Sequence, residues 1–284
     1  MERELPEIEI MGKQYMFDID QIALLEKDRP ERKLLLEDMK DCRTHYEFVY
    51  DKYSRNPDQS KTADGIDAID MERQTFTTVK IPRIADMDPL GMCRKYNCSL
   101  NDIHQKTDFE IMVDQKAFDL RTAKGLLPTI KIAGHIFYVD LRMDKLRPKD
   151  DFLSNGIVFS DVSTYYDDDK RTYMIPYNPK THQFQEPDYN IITEFPKDLI
   201  AIEFPSERLL DRIGWNRKYG FDIRHGLVKQ NLKLQFAAKN IPWNETFLSD
   251  LIKINRRLEK NRKETAEKHQ PDQPQQIMPK GRKM

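Results

Sequence analysis

The chain repeats itself, and that constrains its fold more than any other feature. Leu5-Pro6-Glu7-Ile8-Glu9-Ile10-Met11-Gly12 recurs 122 positions on as Leu127-Pro128-Thr129-Ile130-Lys131-Ile132-Ala133-Gly134, and Asp18 and Asp140 keep the same register. A second block sets Asp88-Pro89-Leu90-Gly91-Met92-Cys93-Arg94-Lys95-Tyr96 against Asp211-Arg212-Ile213-Gly214-Trp215-Asn216-Arg217-Lys218-Tyr219, identical at five of nine positions. Self-similarity at a fixed offset means that one set of elements is specified twice. A chain of 284 residues is long enough for two such units, each with its own core.

Between the blocks, 34–39 answers to 157–162 and 46–50 to 173–177, where the offset grows to 127. The second unit has therefore gained four residues around Asp167-Asp168-Asp169-Lys170, read as an elongated turn, since loops absorb insertions at little cost. A calcium loop is the other reading of this acidic run. It lacks the alternating ligands and terminal glutamate that calcium requires.

Alternation of Ile8 and Ile10 before Gly12, and of Tyr15, Phe17 and Ile19 after it, marks half-buried strands joined in a hairpin, with the same expected at Gly134. Neither glycine lies in a Gly-rich loop ahead of a helix, so a turn with positive φ accounts for them better than a phosphate cradle. A second hairpin is expected from 34–39 with 45–50, and from 157–166 with 171–177. A strand at 77–81 or 199–204 follows, then a short helix, then a closing strand at 109–113 or 232–236. Asp88 and Asp211 are placed as N-caps, with Pro89 at the first helical position and Asn97 or Gly220 just past the end. Met92 and Trp215 would face the sheet.

The expected fold is α+β: two tandem copies of a mostly antiparallel sheet unit with one short helix each, then a C-terminal helix and a disordered tail. The boundaries are 1–121 and 127–243 for the copies, 244–268 for the helix and 269–284 for the tail. In the helix, Phe247, Leu251, Ile254 and Leu258 recur at spacings of four, three and four, with Leu248 and Ile252 beside them. From Lys253 on there are ten Lys/Arg against four acids. Because the whole chain carries −1, the remainder carries −7.

Charged residues make up 33% of the chain, above the roughly 25% usual for soluble proteins. A net charge of −1 excludes a grip on nucleic acid by the whole surface; any such contact is local. Two local candidates stand out. Arg94, Lys95 and Tyr96, with Arg217, Lys218 and Tyr219, form basic and aromatic helix ends that either complement the helix dipole or contact phosphates and stack on bases. Arg256, Arg257, Lys260, Arg262 and Lys263 form a basic run that is either a solvated helix face or a tether to nucleic acid or an acidic partner.

Three cysteines, Cys42, Cys93 and Cys98, make no disulfide framework and suit a reducing compartment. No signal peptide or membrane-length apolar run is read, so a cytoplasmic, soluble protein without membrane partners is expected. The six histidines form no metalloprotease motif, and there is no nucleophile elbow, Walker loop or dinucleotide fingerprint. Cys93 and Cys98 lack zinc-knuckle spacing. No catalytic residue, metal ligand or cofactor is assigned.

The Leu-Pro-x-Ile-x-Ile-x-Gly openings, the Arg-Lys-Tyr helix ends, the stretch Phe137-Tyr138-Val139-Asp140-Leu141-Arg142 to Leu146-Arg147-Pro148-Lys149-Asp150-Asp151 and the terminal Lys280-Gly281-Arg282-Lys283-Met284 resemble a family of hypothetical proteins from Bacteroidetes genomes associated with integrated mobile elements. That resemblance implies a bacterial, intracellular protein and brings no activity. The leading expectation is a non-enzymatic binding or adaptor protein. The alternatives are a nucleic-acid-binding accessory factor using the basic tail, and a hydrolase with its site between the copies.

Overall fold

A computed structural model describes residues 4–54, 56–57, 76–151 and 153–268, with side chains placed as far as 264. The tail expected at 269–284 lies outside the described residues. The fold is α+β.

Strands β1 (Glu7–Ile10), β2 (Lys13–Asp18), β3 (Ala23–Glu26) and β4 (Arg29–Leu35) form one antiparallel sheet in that order. Strands β5 (Lys40–Asp41), β6 (His45–Asp51), β7 (Asn56–Pro57) and β8 (Phe76–Pro82) form a second, in which β6 pairs with each of the others. Helices α1 (Ile84–Met87), α2 (Pro89–Tyr96), α3 (Leu100–Gln105), α4 (Asp108–Met112) and α5 (Gln115–Thr122) end the first half.

The second half opens with β9 (Thr129–Ile132), β10 (His135–Asp140), β11 (Lys145–Pro148) and β12 (Ile157–Val158). Then come β13 (Tyr166–Asp167), β14 (Thr172–Asn178), β15 (Gln183–Phe184) and β16 (Ile200–Pro205). Helices α6 (Glu207–Leu210), α7 (Arg212–Lys218) and α8 (Leu227–Gln230) precede β17 (Gln235–Ala237) and β18 (Lys239–Ile241), and α9 (Leu248–Lys268) closes the fold. β17 and β18 extend the two sheets, giving β12-β11-β10-β9-β17 and β13-β14-β16-β18, with β15 on β14.

Strand registers recur between the halves. Ile8 pairs with Tyr15 as Ile130 pairs with Phe137, and Phe17 with Leu24 as Val139 with Leu146. Likewise Tyr46 faces Ile81 as Tyr173 faces Phe204. Met11 and Gly12 (φ 52° and 79°), and Ala133 and Gly134 (46° and 93°), form two-residue turns with both φ positive, the geometry whose twist matches the flanking strands. Asp88 accepts from the Gly91 amide at 2.8 Å and Asp211 from Gly214 at 2.9 Å, so both expected N-caps form, and Asn97 ends α2 in the left-handed region. Met92 is fully buried, while Trp215 is half-buried against the second core.

Three expectations are corrected. Residues 34–35 and 157–158 belong to the first sheet of their halves, and only 40–41 and 166–167 pair into the second, because a 3-10 turn (Leu36–Asp38 or Ser160–Tyr165) carries the chain across. The closing strand at 109–113 is helical as far as Met112, so the first half carries more than one short helix; the second half does too. Successive N-terminal caps enforce this: Ser99 with Asp102, Thr107 with Glu110, then Asp114 accepting from Ala117 at 2.9 Å. Finally, α9 is rotated from the expected stripe. Leu248, Ile252 and Asn255 are buried, whereas Phe247, Ile254 and Leu258 are at least half exposed.

Each half has a core between its two sheets. Tyr15, Phe17, Tyr46, Phe48 and Ile81 belong to the first, capped by Ile84 and Met92; Phe137, Val139, Tyr173, Ile175 and Phe204 belong to the second. A third cluster joins them, Phe109, Val113 and Ala117 from the first half with Ile213, Leu227 and Leu232 from the second. Beside it Arg121 forks onto Asp211, with Nε to Oδ1 at 3.0 Å and Nη2 to Oδ2 at 2.7 Å, both side chains buried.

Candidate functional site

A cleft of about 550 Å³ lies where the halves meet, within the range of small-ligand sites. One wall is the strap from Leu36 to Phe48, with the 3-10 turn, β5 and the start of β6. The other is the loop from Gly220 to Gly226 with Val228 of α8.

The loop is held from within. Asn216, fully buried on α7, donates from Nδ2 to the carbonyls of Ile223 (3.3 Å) and His225 (2.9 Å). Arg212 Nε donates to the same His225 carbonyl at 2.9 Å. The Arg212 guanidinium occupies the space where a side chain at residue 226 would begin, since a Cβ there would stand 1.9 Å from Nη2. Gly226 also has φ +73°, so only glycine fits. Burial, then the like charges of Arg208 and Arg171, lower the Arg212 pKa to about 10. Burial also lowers that of His225, again with Arg212 and Arg208 beside it, which keeps the imidazole neutral near pH 7. Phe221 stacks on His225, and the Arg224 guanidinium lies over the Phe109 ring at 4.6 Å.

On the opposite wall Glu37 is buried and accepts from Lys229 Nζ at 2.9 Å, a second ionic tie between the halves. Burial is the largest influence on Glu37 and raises its pKa. The Lys229 hydrogen bond and charge, with Arg208 and Arg171, outweigh it and hold the carboxyl below its ordinary range. Its neighbour Asp38 is raised, by burial and then by the Glu37 charge. Five carboxylates line the cleft (Glu37, Asp38, Asp41, Glu47, Asp222) with three bases (Lys40, Arg43, Arg224); Glu37 and Glu47 are already paired with Lys229 and Lys80, which leaves Asp38, Asp41 and Asp222 to meet a positively charged group on a ligand.

At the cleft edge Cys42, His45 and Glu47 bring a thiol, an imidazole nitrogen and a carboxylate oxygen within 4.8 Å of one another. His45 Nε2 lies 2.9 Å from Glu47 Oε1, and Lys80 approaches the same oxygen at 3.1 Å. Hydrogen bonds from His45 and then Lys80 hold Glu47 at about 2. Thiolate, imidazole and carboxylate are zinc ligands, so these three could hold such an ion. Their spacing of three and two residues around a hairpin turn was the available signal, and a search for paired Cys or His motifs passes over it.

The basic residues singled out from sequence are placed elsewhere; none lines the cleft. Lys95 donates to the carbonyls of Ile19 (2.6 Å) and Asp20 (3.1 Å), and Lys218 pairs with Asp144 at 2.8 Å, so both tie a helix end to a strand turn. Arg94 and Arg217 are exposed. Tyr96 is half-buried against the first core, where burial raises its hydroxyl to about 12, and Tyr219 packs on Trp215 at 4.2 Å. Arg256 donates to Thr193 O at 2.7 Å. Lys260 and Lys263 pair along the helix with Glu264 (3.9 Å) and Glu259 (2.6 Å), and Arg257 and Arg262 are exposed.

Among the described residues no helix is long and apolar enough to cross a membrane. Comparison of the chain with family models, curated proteins and solved structures found no match.

Proposed function

We propose that this chain is a non-enzymatic binding or adaptor protein, built from two copies of one α+β unit, that holds a positively charged polar ligand or peptide segment in the cleft between them. The recurrence of strand registers supports the duplication. The observation that carries the binding reading is the cleft itself, walled by both halves and carrying Asp38, Asp41 and Asp222 on its lining. Its three thiols are free, which agrees with a reducing cytoplasm, and the resemblance noted above is the ground for reading it as an accessory factor of a bacterial mobile element.

Calorimetric titration with a lysine-containing tripeptide and with spermidine tests this reading. Binding is expected, and Asp38→Asn with Asp41→Asn should weaken it by about fivefold per charge removed. Absence of heat for both probes, or binding untouched by the paired substitution, rejects it.

A second reading, a metal-dependent hydrolase, is favoured by Cys42, His45 and Glu47 at the cleft edge. It requires zinc to bind stoichiometrically to the full chain and Cys42→Ser to abolish that binding, as measured against a competing chromophoric chelator.

A further inference from the structure

In the second half one segment closes the outer edges of two strands. β17 lies parallel to β9, with Phe236 beside Ile130 and Ala237 beside Lys131. The Ala238 amide then donates to Lys131 O at 2.9 Å, and β18 runs antiparallel to β16, with Lys239 opposite Glu203 and Ile241 opposite Ala201. Phe236 and Ala238 pack on the core, and Ile130 and Ile202 are completely buried.

By register, the first-half counterparts are β1 and β8. Ile8 stands where Ile130 does, Val79 where Ile202 does, Glu9 for Lys131 and Lys80 for Glu203. Among the described residues β1 pairs only with β2, and β8 only with β6. Ile8 and Val79 touch the core yet are only half-buried. The chain that would have covered them folds instead as α4 and α5.

We propose that these two open edges form one docking site for an extended segment of a partner protein, adding parallel to β1 and antiparallel to β8 as residues 235–241 do in their own half. Main-chain hydrogen bonds supply affinity in such strand addition, and side-chain pockets supply specificity. An apolar residue takes the Phe236 position, against Ile8.

Charge selects a foreign segment over a second copy of this chain. Lys239 pairs with Glu203 at 3.6 Å, but at the equivalent position of the first half it would meet Lys80. Like charges directly opposite one another destabilise a strand pair. Glu9, whose side chain contacts Gln14 at 3.3 Å, instead calls for a base, and Lys80, already paired with Glu47 at 3.1 Å, accepts an acid more readily than a base. Charged edges of this kind also deter indiscriminate self-pairing. The proposal deepens the binding reading by naming a partner class; its edge residues do not line the cleft, although Lys80 reaches Glu47 there.

The test uses the full chain and two fluorescent peptides in a polarisation assay. One copies residues 233–243; the other carries Ala237→Lys and Lys239→Glu. The altered peptide should bind more tightly, by about two- to fivefold for each matched pair, and should protect β1 and β8 amides from deuterium exchange. Glu9→Lys, at an exposed position, should remove the part of that preference due to Ala237→Lys. The cleft substitutions Asp38→Asn and Asp41→Asn should change nothing, which separates failure here from failure of the cleft. No binding at millimolar peptide, or equal affinities without protection of β1 and β8, overturns the proposal. So does a concentration-dependent dimer dissolved by the unaltered peptide, which would make a second copy the occupant.

Discussion

Ile130 in the second half is sealed from water by the strand that carries Phe236, while Ile8, at the same register position in the first, keeps part of its surface in solvent. The strands on which these residues lie have matching registers, and the difference lies in the segment that follows the capped helix. In one half it passes through α8 into β17 and β18; in the other it forms α3, α4 and α5. The halves thus have matching registers on these strands and differ, among the described residues, in the edges they leave unpaired. The helices of the first half are not spare, because α4 and α5 supply the apolar cluster and the Arg121 side chain on which the second half sits.

The joint is where the comparison breaks most readily. Arg121→Ala leaves Asp211 buried without its ionic partner and should cost about 3–5 kcal/mol, read as a lower denaturation midpoint. A loss below about 1 kcal/mol would mean that the halves do not depend on this contact. Next in size is a matched pair of truncations. Ile130→Ala should cost about 2–5 kcal/mol and Ile8→Ala about half as much, because the covered side chain loses more buried surface and leaves a closed cavity. Equal losses would show that the first edge is as well covered as the second.

The smallest effect concerns acid. Glu37 has a lowered pKa when folded, so its bond to Lys229 stabilises the protein above the ordinary carboxylate range, and that contribution disappears as the pH falls through the folded value. The stability gap between the native chain and Glu37→Gln should therefore narrow from pH 7 toward pH 3. A gap that stayed constant would remove Glu37 from the joint.

Much of this was legible in the residues. Alternation on either side of Gly12 and Gly134 located the opening hairpins and their tight turns, and Asp88 and Asp211 located the helix starts. The closing strand of the first half was misread because Phe109, Ile111 and Val113 alternate with polar residues, as a strand does. Ser99 with Asp102, and Thr107 with Glu110, had already written two capping boxes, and those local hydrogen bonds prevailed. In α9 two apolar rows compete. The buried row includes Asn255, which donates to the carbonyls of Tyr189 (3.0 Å) and Ile192 (2.9 Å). The cleft was out of reach altogether, since its walls are about 180 residues apart in the chain.

The segment that seals the second half is synthesised long after the strand that it covers. Thr129 and its neighbours leave the ribosome more than a hundred residues ahead of Gln235, so the nascent protein passes through a stage in which both sheet pairs have bare flanks. Pairing across such a separation is slow, and unpaired flanks invite contact between neighbouring chains on a polysome. Translation that pauses just before residue 235 should therefore prolong the interval in which this protein misassembles.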